Sequence, residues 1–168
     1  MKTKLLGYLA IALFIAGVFA CKENDQEKLR RIELERLDEY VRDNNLQDYR
    51  KPSGLYYKEL TPGVGDTINP GDQVQIYYST WALSDTIYHI DETEGYTEGY
   101  RYEPYTFIVG NGTAVDGLEE AATYMQKGTK AKLVIPSELA YGQRGSSIIT
   151  GFTTVIMEVE VYKVFPAQ

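Results

Sequence analysis

Residues 112–142 read GTAVDGLEEAATYMQKGTKAKLVIPSELAYG, in which a helix pattern is followed by a strand pattern and a loop. Its first part places four apolar side chains on one stripe between two glycines, which predicts a short helix over residues 118–125. Its second part is typical of a strand over residues 131–135. The stretch then reaches Tyr141 between an alanine and a glycine, and packing alone is a poor explanation for a tyrosine in such a loop. Tyr141 is therefore the first candidate functional residue.

Strand patterns flank this stretch on both sides. Alternating apolar and polar residues predict four further strands, over residues 55–60, 73–78, 105–109 and 154–164. In the last of these, four apolar side chains alternate with mostly polar ones, which is the pattern of a half-buried strand. The sequence therefore predicts a mainly antiparallel sheet with the short helix lying across it.

The N-terminus is typical of an export signal. Residues 1–4 carry two lysines, residues 5–20 are almost entirely apolar, and Cys21 follows directly as the one cysteine of the chain. The junction resembles the lipobox of bacterial lipoproteins, in which the cysteine is lipidated on sulfur and becomes the new N-terminus after cleavage, although Phe19 is bulkier than the usual residue. An uncleaved anchor and a simple secretory signal are the alternatives. We expect a membrane-attached protein of the cell envelope, in the outer membrane on its periplasmic or surface face.

Composition excludes several classes of function. The formal net charge of -7 and the absence of a basic cluster exclude nucleic acid as a partner. Once Cys21 is acylated, the chain has no thiol for catalysis or for a disulfide. His89 is the single histidine, so neither a zinc site nor a histidine triad can be built. We expect no metal and no cofactor.

Residues 22–46 predict an amphipathic helix. The segment is highly charged, lacks glycine and proline, and repeats apolar residues at helical spacing. Its apolar stripe is short for a coiled coil, so a strut packed on the domain is favoured over pairing with a second copy, and a monomer is expected. The predicted organisation is a signal peptide over 1–20, an anchor with helix and linker over 21–52, and one domain over 53–168.

Over about residues 53–165 the chain resembles the FKBP-type (immunophilin) peptidyl-prolyl cis-trans isomerases. The resemblance is a series of motifs in the family's order: residues 71–78, 104–110, 112–121, 125–136, 138–142 and 158–161. It implies an α+β fold, in which a twisted antiparallel sheet wraps around one short helix and leaves an aromatic pocket between them. In this chain the amphipathic helix precedes that fold.

The resemblance also implies the residues of the site. The catalytic residues would be Tyr141, Tyr78 and Phe107, and the substrate would be a proline-containing polypeptide. The Tyr141 hydroxyl and a backbone N–H near Ile149 would hold substrate carbonyls while the bond before proline rotates. Several aliphatic members would serve equally well as plain core. The substrate-binding residues would be Tyr105, Ala114, Val115, Leu118, Ile149 and Met157, with Tyr88 as a further candidate.

The chain departs from the family pattern near this pocket. Ser79 and Thr80 follow Tyr78 where the family usually has glycine at the second position. In the next motif Tyr88 could replace the family's phenylalanine, and either Asp91 or His89 could take the position of its aspartate. Leu118 stands where many members have tryptophan. We expect weakened or altered catalysis.

Two loops differ as well. Residues 148–151 replace the family's Ile-Pro-Pro, and residues 92–101 form an acidic, tyrosine-rich insertion. The insertion could cover the pocket, contact a partner, or be a plain surface loop. Thr67 and Thr86 each lie in a three-residue pattern similar to an O-glycosylation acceptor of exported proteins, a pattern short enough to arise by chance.

Three functions compete at this level. The resemblance implies an isomerase that assists protein folding in the envelope. A noncatalytic peptide-binding module on the same fold is the alternative from another class, and a structural lipoprotein of an envelope assembly is the third. Catalysed exchange of an X-Pro peptide would separate the first from the others.

Overall fold

The computed structural model describes residues 25–92 and 103–167, and for residues 89–92 it describes the backbone alone. The predicted signal peptide, Cys21 and all but the first residue of the 92–101 insertion lie outside the described residues. Within the described part, none of the helices combines the length and the apolar character needed to cross a membrane.

The described residues form two helices, two short 3-10 turns and six strands. The 3-10 turns are Gln47–Tyr49 and Ser137–Leu139. The helices are α1, Asp25–Asp43, and α2, Asp116–Ala122. The strands are β1 (Tyr56–Thr61), β2 (Gln73–Leu83), β3 (Tyr88–Glu92), β4 (Tyr105–Ile108), β5 (Lys130–Ile135) and β6 (Thr154–Phe165).

One antiparallel sheet contains all six strands. Its order is β1-β5-β6-β2-β3, and β4 pairs with the first half of β2 while β3 pairs with the second half. The long strands β2 and β6 form the centre of the sheet and pair along their whole length. The α+β architecture predicted from the sequence, with a helix ahead of it, is the architecture observed.

The inner face of the sheet packs on α2. Leu118, Ala121 and Ala122 of this helix are buried against apolar side chains from the strands, including Ile135 of β5. The helix approaches β5 so closely that a Cβ atom on Gly117 would overlap the Ile135 side chain. Glycine at this position therefore lets α2 lie against the sheet.

The outer face of the sheet packs on α1. Leu37 and Val41 of this helix form a second apolar cluster with side chains such as Ile156, and adjacent Tyr56 and Tyr57 point to the outer and inner clusters respectively. An ion pair between Arg36 and Asp85 ties the helix to the β2–β3 turn. The helix is therefore the packed strut that the sequence favoured.

This packing corrects the prediction for the last strand. The half-buried pattern predicts a mostly polar, exposed face that carries Thr154 and the apolar Ile156, yet both are buried, and only from Glu158 onward does β6 expose its outer side. The physical reason is the cover supplied by α1, which a strand pattern read alone does not reveal.

Two boundaries also differ from the prediction. Strand β2 continues past the predicted end at residue 78 and reaches Leu83 through polar residues. This second half of the strand is held because it is paired on both sides, by β6 and by β3. Helix α2 ends at Ala122, three residues before the predicted end. The N–H groups of Tyr124 and Met125 each donate to the carbonyl three residues earlier, which makes tighter turns than an α-helix.

Candidate active site

A cavity of about 440 Å³ lies between α2 and the inner face of the sheet. Aromatic and aliphatic side chains supply most of its lining, with a few hydroxyl groups and one carboxylate at the rim. The lining residues are Tyr78, Thr80, Tyr105, Thr113, Ala114, Val115, Asp116, Leu118, Ala140, Tyr141, Ile148, Val155 and Met157. The structure thus brings together seven predicted residues, namely Tyr78, Tyr105, Ala114, Val115, Leu118, Tyr141 and Met157.

The β2–β4 ladder positions the aromatic wall. Tyr105 stands opposite Ile76 in the register, and its ring meets the Tyr78 ring edge to face with centroids 6.0 Å apart. Behind it the Phe107 ring stacks on Tyr105 at 5.7 Å. Phe107 is only 3% exposed and lies outside the cavity lining, so the structure places it as the support of Tyr105.

The Tyr105 hydroxyl is committed to the protein. Its O–H donates to the Thr113 carbonyl at 3.1 Å. Burial raises the pKa of Tyr105 above its usual value, and the nearby Glu119 and Tyr141 raise it further. Tyr105 therefore stays neutral at physiological pH and shapes the wall without carrying charge.

Glu119 of α2 fixes the segment that leads into the helix. Its carboxylate accepts the Gly110 N–H at 2.8 Å and the Ala114 N–H at 3.2 Å. Val115 follows at the helix start and lines the cavity. For the Val115 N–H, the structure of residues 25–92 and 103–167 shows no acceptor. Val115 thus combines a place in the cavity lining with a backbone donor that bonds no described group.

The loop between β5 and β6 forms the opposite rim. Tyr141 is 39% exposed there, and the carbonyl of Ser137 accepts the N–H groups of Ala140 and Gly142 on either side of it. Ile148 lines the cavity and is 63% exposed. The rim therefore contains both a tyrosine and an exposed apolar side chain.

Ile149 and Tyr88 lie away from the cavity lining. Ile149 is 2% exposed, and its N–H donates to the Ser146 hydroxyl at 3.1 Å. Tyr88 begins β3 opposite Ala82 and is partly exposed. The loop between β5 and β6 therefore presents Ile148 where the sequence pointed to Ile149.

Thr80 is a lining residue that sequence reasoning noticed only as a departure from the family glycine. It is 5% exposed, and its hydroxyl has no hydrogen-bond partner among the described residues. In the register of β2 and β3, Asp91 is opposite Thr80 and His89 is opposite Trp81. The choice between Asp91 and His89 as the pocket side chain lies outside what the structure describes.

The remaining lining residues carry weak sequence signals. Thr113, Asp116, Ala140 and Val155 are common types whose position depends on the fold. Across the described parts of the chain, no cluster of histidine, cysteine or acidic side chains is arranged to hold a metal ion. The lining itself supplies shape, apolar surface and hydrogen-bonding groups.

Comparison with known proteins identifies the family. The family model described as FKBP-type peptidyl-prolyl cis-trans isomerase matches residues 65–162. An FK506-binding protein of Neisseria meningitidis serogroup B is 32% identical over 113 residues, covering 67% of this chain and 97% of that protein. The FKBP-type 22 kDa peptidyl-prolyl cis-trans isomerase of Escherichia coli is 34% identical over 113 residues, which is 67% of this chain and 50% of that protein.

Solved structures agree. The crystal structure of FkpA from Escherichia coli superposes with a TM-score of 0.70 at 27% identity, covering 99% of this chain and 72% of FkpA. A peptidyl-prolyl cis-trans isomerase from Pseudomonas syringae gives a TM-score of 0.68 at 24% identity, covering 86% of this chain and 99% of that one, and supports the fold alone. The family model covers most of the chain, and the sequence, the fold and the cavity all agree with it. The chain therefore belongs to the FKBP-type peptidyl-prolyl cis-trans isomerases.

Proposed function

We propose that the cavity between α2 and the sheet binds the proline ring of a polypeptide and lowers the barrier to rotation about the preceding peptide bond. The observation that carries the proposal is the shape and lining of this 440 Å³ cavity, in which Tyr78, Leu118 and Met157 surround a space suited to a small apolar ring.

The chemistry is torsional. An X-Pro bond prefers trans by only about 0.5–1 kcal/mol, but rotation costs roughly 18–20 kcal/mol because a planar amide must lose its resonance. The twisted amide has less charge separation than the planar one, so an apolar surrounding disfavours it less than it disfavours the ground state. The cavity needs neither a nucleophile nor a metal for this effect.

Two hydrogen-bond donors can orient the substrate. One is the hydroxyl of Tyr141, a lining residue at the rim, and the other is the N–H of Val115, a lining residue at the start of α2. We assign them to the substrate carbonyls on the two sides of the rotating bond. The backbone donor expected near Ile149 is less suited to this role, since the Ile149 N–H already bonds Ser146.

Catalysed exchange tests this proposal. We expect residues 22–168 to accelerate cis-trans exchange of an Ala-Pro peptide, measured by two-dimensional exchange NMR. Tyr141→Phe should reduce kcat/KM by about 5- to 10-fold, corresponding to one hydrogen bond of roughly 1–1.4 kcal/mol. Exchange at the uncatalysed rate in the folded wild type would refute the proposal and favour a noncatalytic peptide-binding module.

We further propose that the enzyme acts on folding polypeptides in the cell envelope, anchored by a lipid on Cys21. Support comes from the sequence alone: a charged start, an apolar stretch and a cysteine directly after it. Wild-type protein should incorporate labelled fatty acid and lose residues 1–20, and Cys21→Ala should do neither. Wild-type protein that keeps residues 1–20 and takes up no label would indicate an uncleaved anchor.

The folding role has its own test. Refolding of a denatured polypeptide with a slow proline-limited phase should be faster in the presence of the protein, and Tyr141→Phe should lose most of that effect. Acceleration of Ala-Pro peptide exchange without any effect on refolding would restrict the function to exposed peptide segments.

A further inference from the structure

Glu33 of α1 lies at the junction of the N-terminal helix and the active-site loop. The residue is 2% exposed, although glutamate is rarely buried without partners. Its partners are found mainly on the β5–β6 loop. The Ser137 N–H and hydroxyl donate to its two carboxylate oxygens at 2.7 Å each, and the Thr154 hydroxyl donates at 3.0 Å.

Arg30 reinforces the same junction. Its guanidinium pairs with Glu33 at 2.6 Å and with Glu138 at 2.6 Å, and it lies 3.3 Å from the Ser137 hydroxyl. One turn of α1 thus bonds two consecutive residues of the loop. These bonds involve charged groups, which makes them stronger than neutral hydrogen bonds.

Ser137 passes this restraint on to Tyr141. While Glu33 holds the N–H and the hydroxyl of Ser137, the Ser137 carbonyl accepts the N–H of Ala140 at 3.0 Å and of Gly142 at 2.7 Å. The backbone on both sides of Tyr141 is therefore bonded to a residue that Glu33 fixes. Only one residue, Ser137, separates the helix from the catalytic rim along this path.

Simple attachment of the helix does not require such an arrangement. Leu37 and Val41 already pack α1 on the sheet through apolar contacts. Burying a carboxylate costs desolvation energy, and its directional bonds chiefly specify geometry. What Glu33 adds is therefore a fixed position of the loop relative to the sheet.

We propose that Glu33 is a positioning residue for the isomerase reaction, holding the 137–142 loop so that Tyr141 stands at the rim of the cavity. The inference rests on the role proposed above for the Tyr141 hydroxyl. It makes α1, which lies outside the family match over residues 65–162, a working part of the active site.

The test compares Glu33→Gln with two variants of the same helix in the full-length chain, purified in detergent. Glu35→Gln removes an exposed carboxylate that pairs only with Arg31 in the described structure. Leu37→Ala weakens the apolar attachment of α1 and leaves the bonds between Glu33 and the loop in place. For each variant, exchange of an Ala-Pro peptide gives kcat/KM, and amide resonances of Ala140 to Gly142 report the loop position.

Glu33→Gln should shift these loop resonances and lower kcat/KM by about 5- to 10-fold, as Tyr141→Phe does, because a misplaced loop withdraws the same hydroxyl from the substrate. Glu35→Gln and Leu37→Ala should leave the loop resonances unshifted and kcat/KM within about twofold of wild type when the protein is fully folded. If Glu33→Gln fails to fold, Ser137→Ala, which removes one of the donors to Glu33, should give the same changes to a smaller extent.

Each result decides the proposal. Unchanged loop resonances in folded Glu33→Gln would overturn it, as would shifted resonances with wild-type kcat/KM. An equal loss of activity in Leu37→Ala would also overturn it, since general weakening of α1 would then be the cause. Full activity of Tyr141→Phe would refute the role of the hydroxyl. The amide resonances of Ala140 to Gly142 in Glu33→Gln would still show whether Glu33 fixes the position of the loop.

Discussion

The two faces of the sheet are both apolar, yet their helices cover them differently. On the inner face α2 has seven residues and spans about 10 Å, whereas α1 on the outer face has nineteen and spans about 28 Å. The short helix cannot cover the inner face, and the cavity remains beside it. The long helix reaches from the β2–β3 turn to the β5–β6 loop. One face thus provides the binding space and the other provides support.

A substitution in the core of the inner face should have the strongest effect on stability. Phe107→Ala should lower the free energy of unfolding by about 3–5 kcal/mol, because the buried ring supports Tyr105 and fills the core beneath it. Urea unfolding measures this loss. A variant of wild-type stability that has lost catalysis would contradict the supporting role and indicate that Phe107 touches the substrate itself.

The next effect concerns the outer face. Leu37→Ala should cost about 2–4 kcal/mol in urea unfolding, since Leu37 is buried in the cluster that joins α1 to the sheet. Leu34→Ala on the same helix, where the side chain is 42% exposed, should cost less than about 0.5 kcal/mol. Equal effects of the two substitutions would mean that α1 is a loosely attached spacer.

A matched pair of threonines sharpens the comparison. Thr154→Val removes a hydroxyl that bonds Glu33 behind the sheet, and it should destabilise the protein by about 1.5–3 kcal/mol. Thr80→Val removes a buried hydroxyl that has no partner among the described residues, and it should stabilise the protein by about 1 kcal/mol. Thermal unfolding of both variants tests the opposite signs. Destabilisation by Thr80→Val would show that the hydroxyl is bonded in solution.

The smallest effect is a dependence on alkaline pH. Burial, with Glu59 nearby, raises the pKa of Tyr57 from 10.0 to about 12. Because the folded-state value is the higher one, this group contributes stability that is complete below pH 10 and lost between pH 10 and about 12. The decline in unfolding free energy over that range should be smaller in Tyr57→Phe. An identical decline in wild type and variant would show that Tyr57 ionises as easily in the folded state as in the unfolded state.

Much of this architecture could be predicted from the sequence, because its elements are specified locally. The strand alternation, the short helix beside Gly117 and the amphipathic N-terminal helix all follow from spacing along the chain. Seven cavity residues could be named because the family resemblance carries their positions. The local pattern did not indicate β3, whose residues hold a strand only through pairing with β2.

The support of the site could not be predicted, because it depends on contacts between distant residues. Glu33 reads as one of many charges on a helix, and only the fold brings it to Ser137, 104 positions away. Ile148 and Ile149 are adjacent and chemically identical, so the conformation of their loop decides which one faces the cavity. Phe107 was placed in the pocket, whereas packing puts it one layer behind.

The proline ring of a substrate should occupy the inner-face cavity. Intermolecular NOEs between an Ala-Pro peptide and the protein, with side-chain methyl and aromatic protons assigned, detect this contact. We expect NOEs from the proline ring to Tyr78, Leu118 and Met157. NOEs confined to Leu34 and Phe152, which line a separate groove between α1 and the β5–β6 loop, would contradict it.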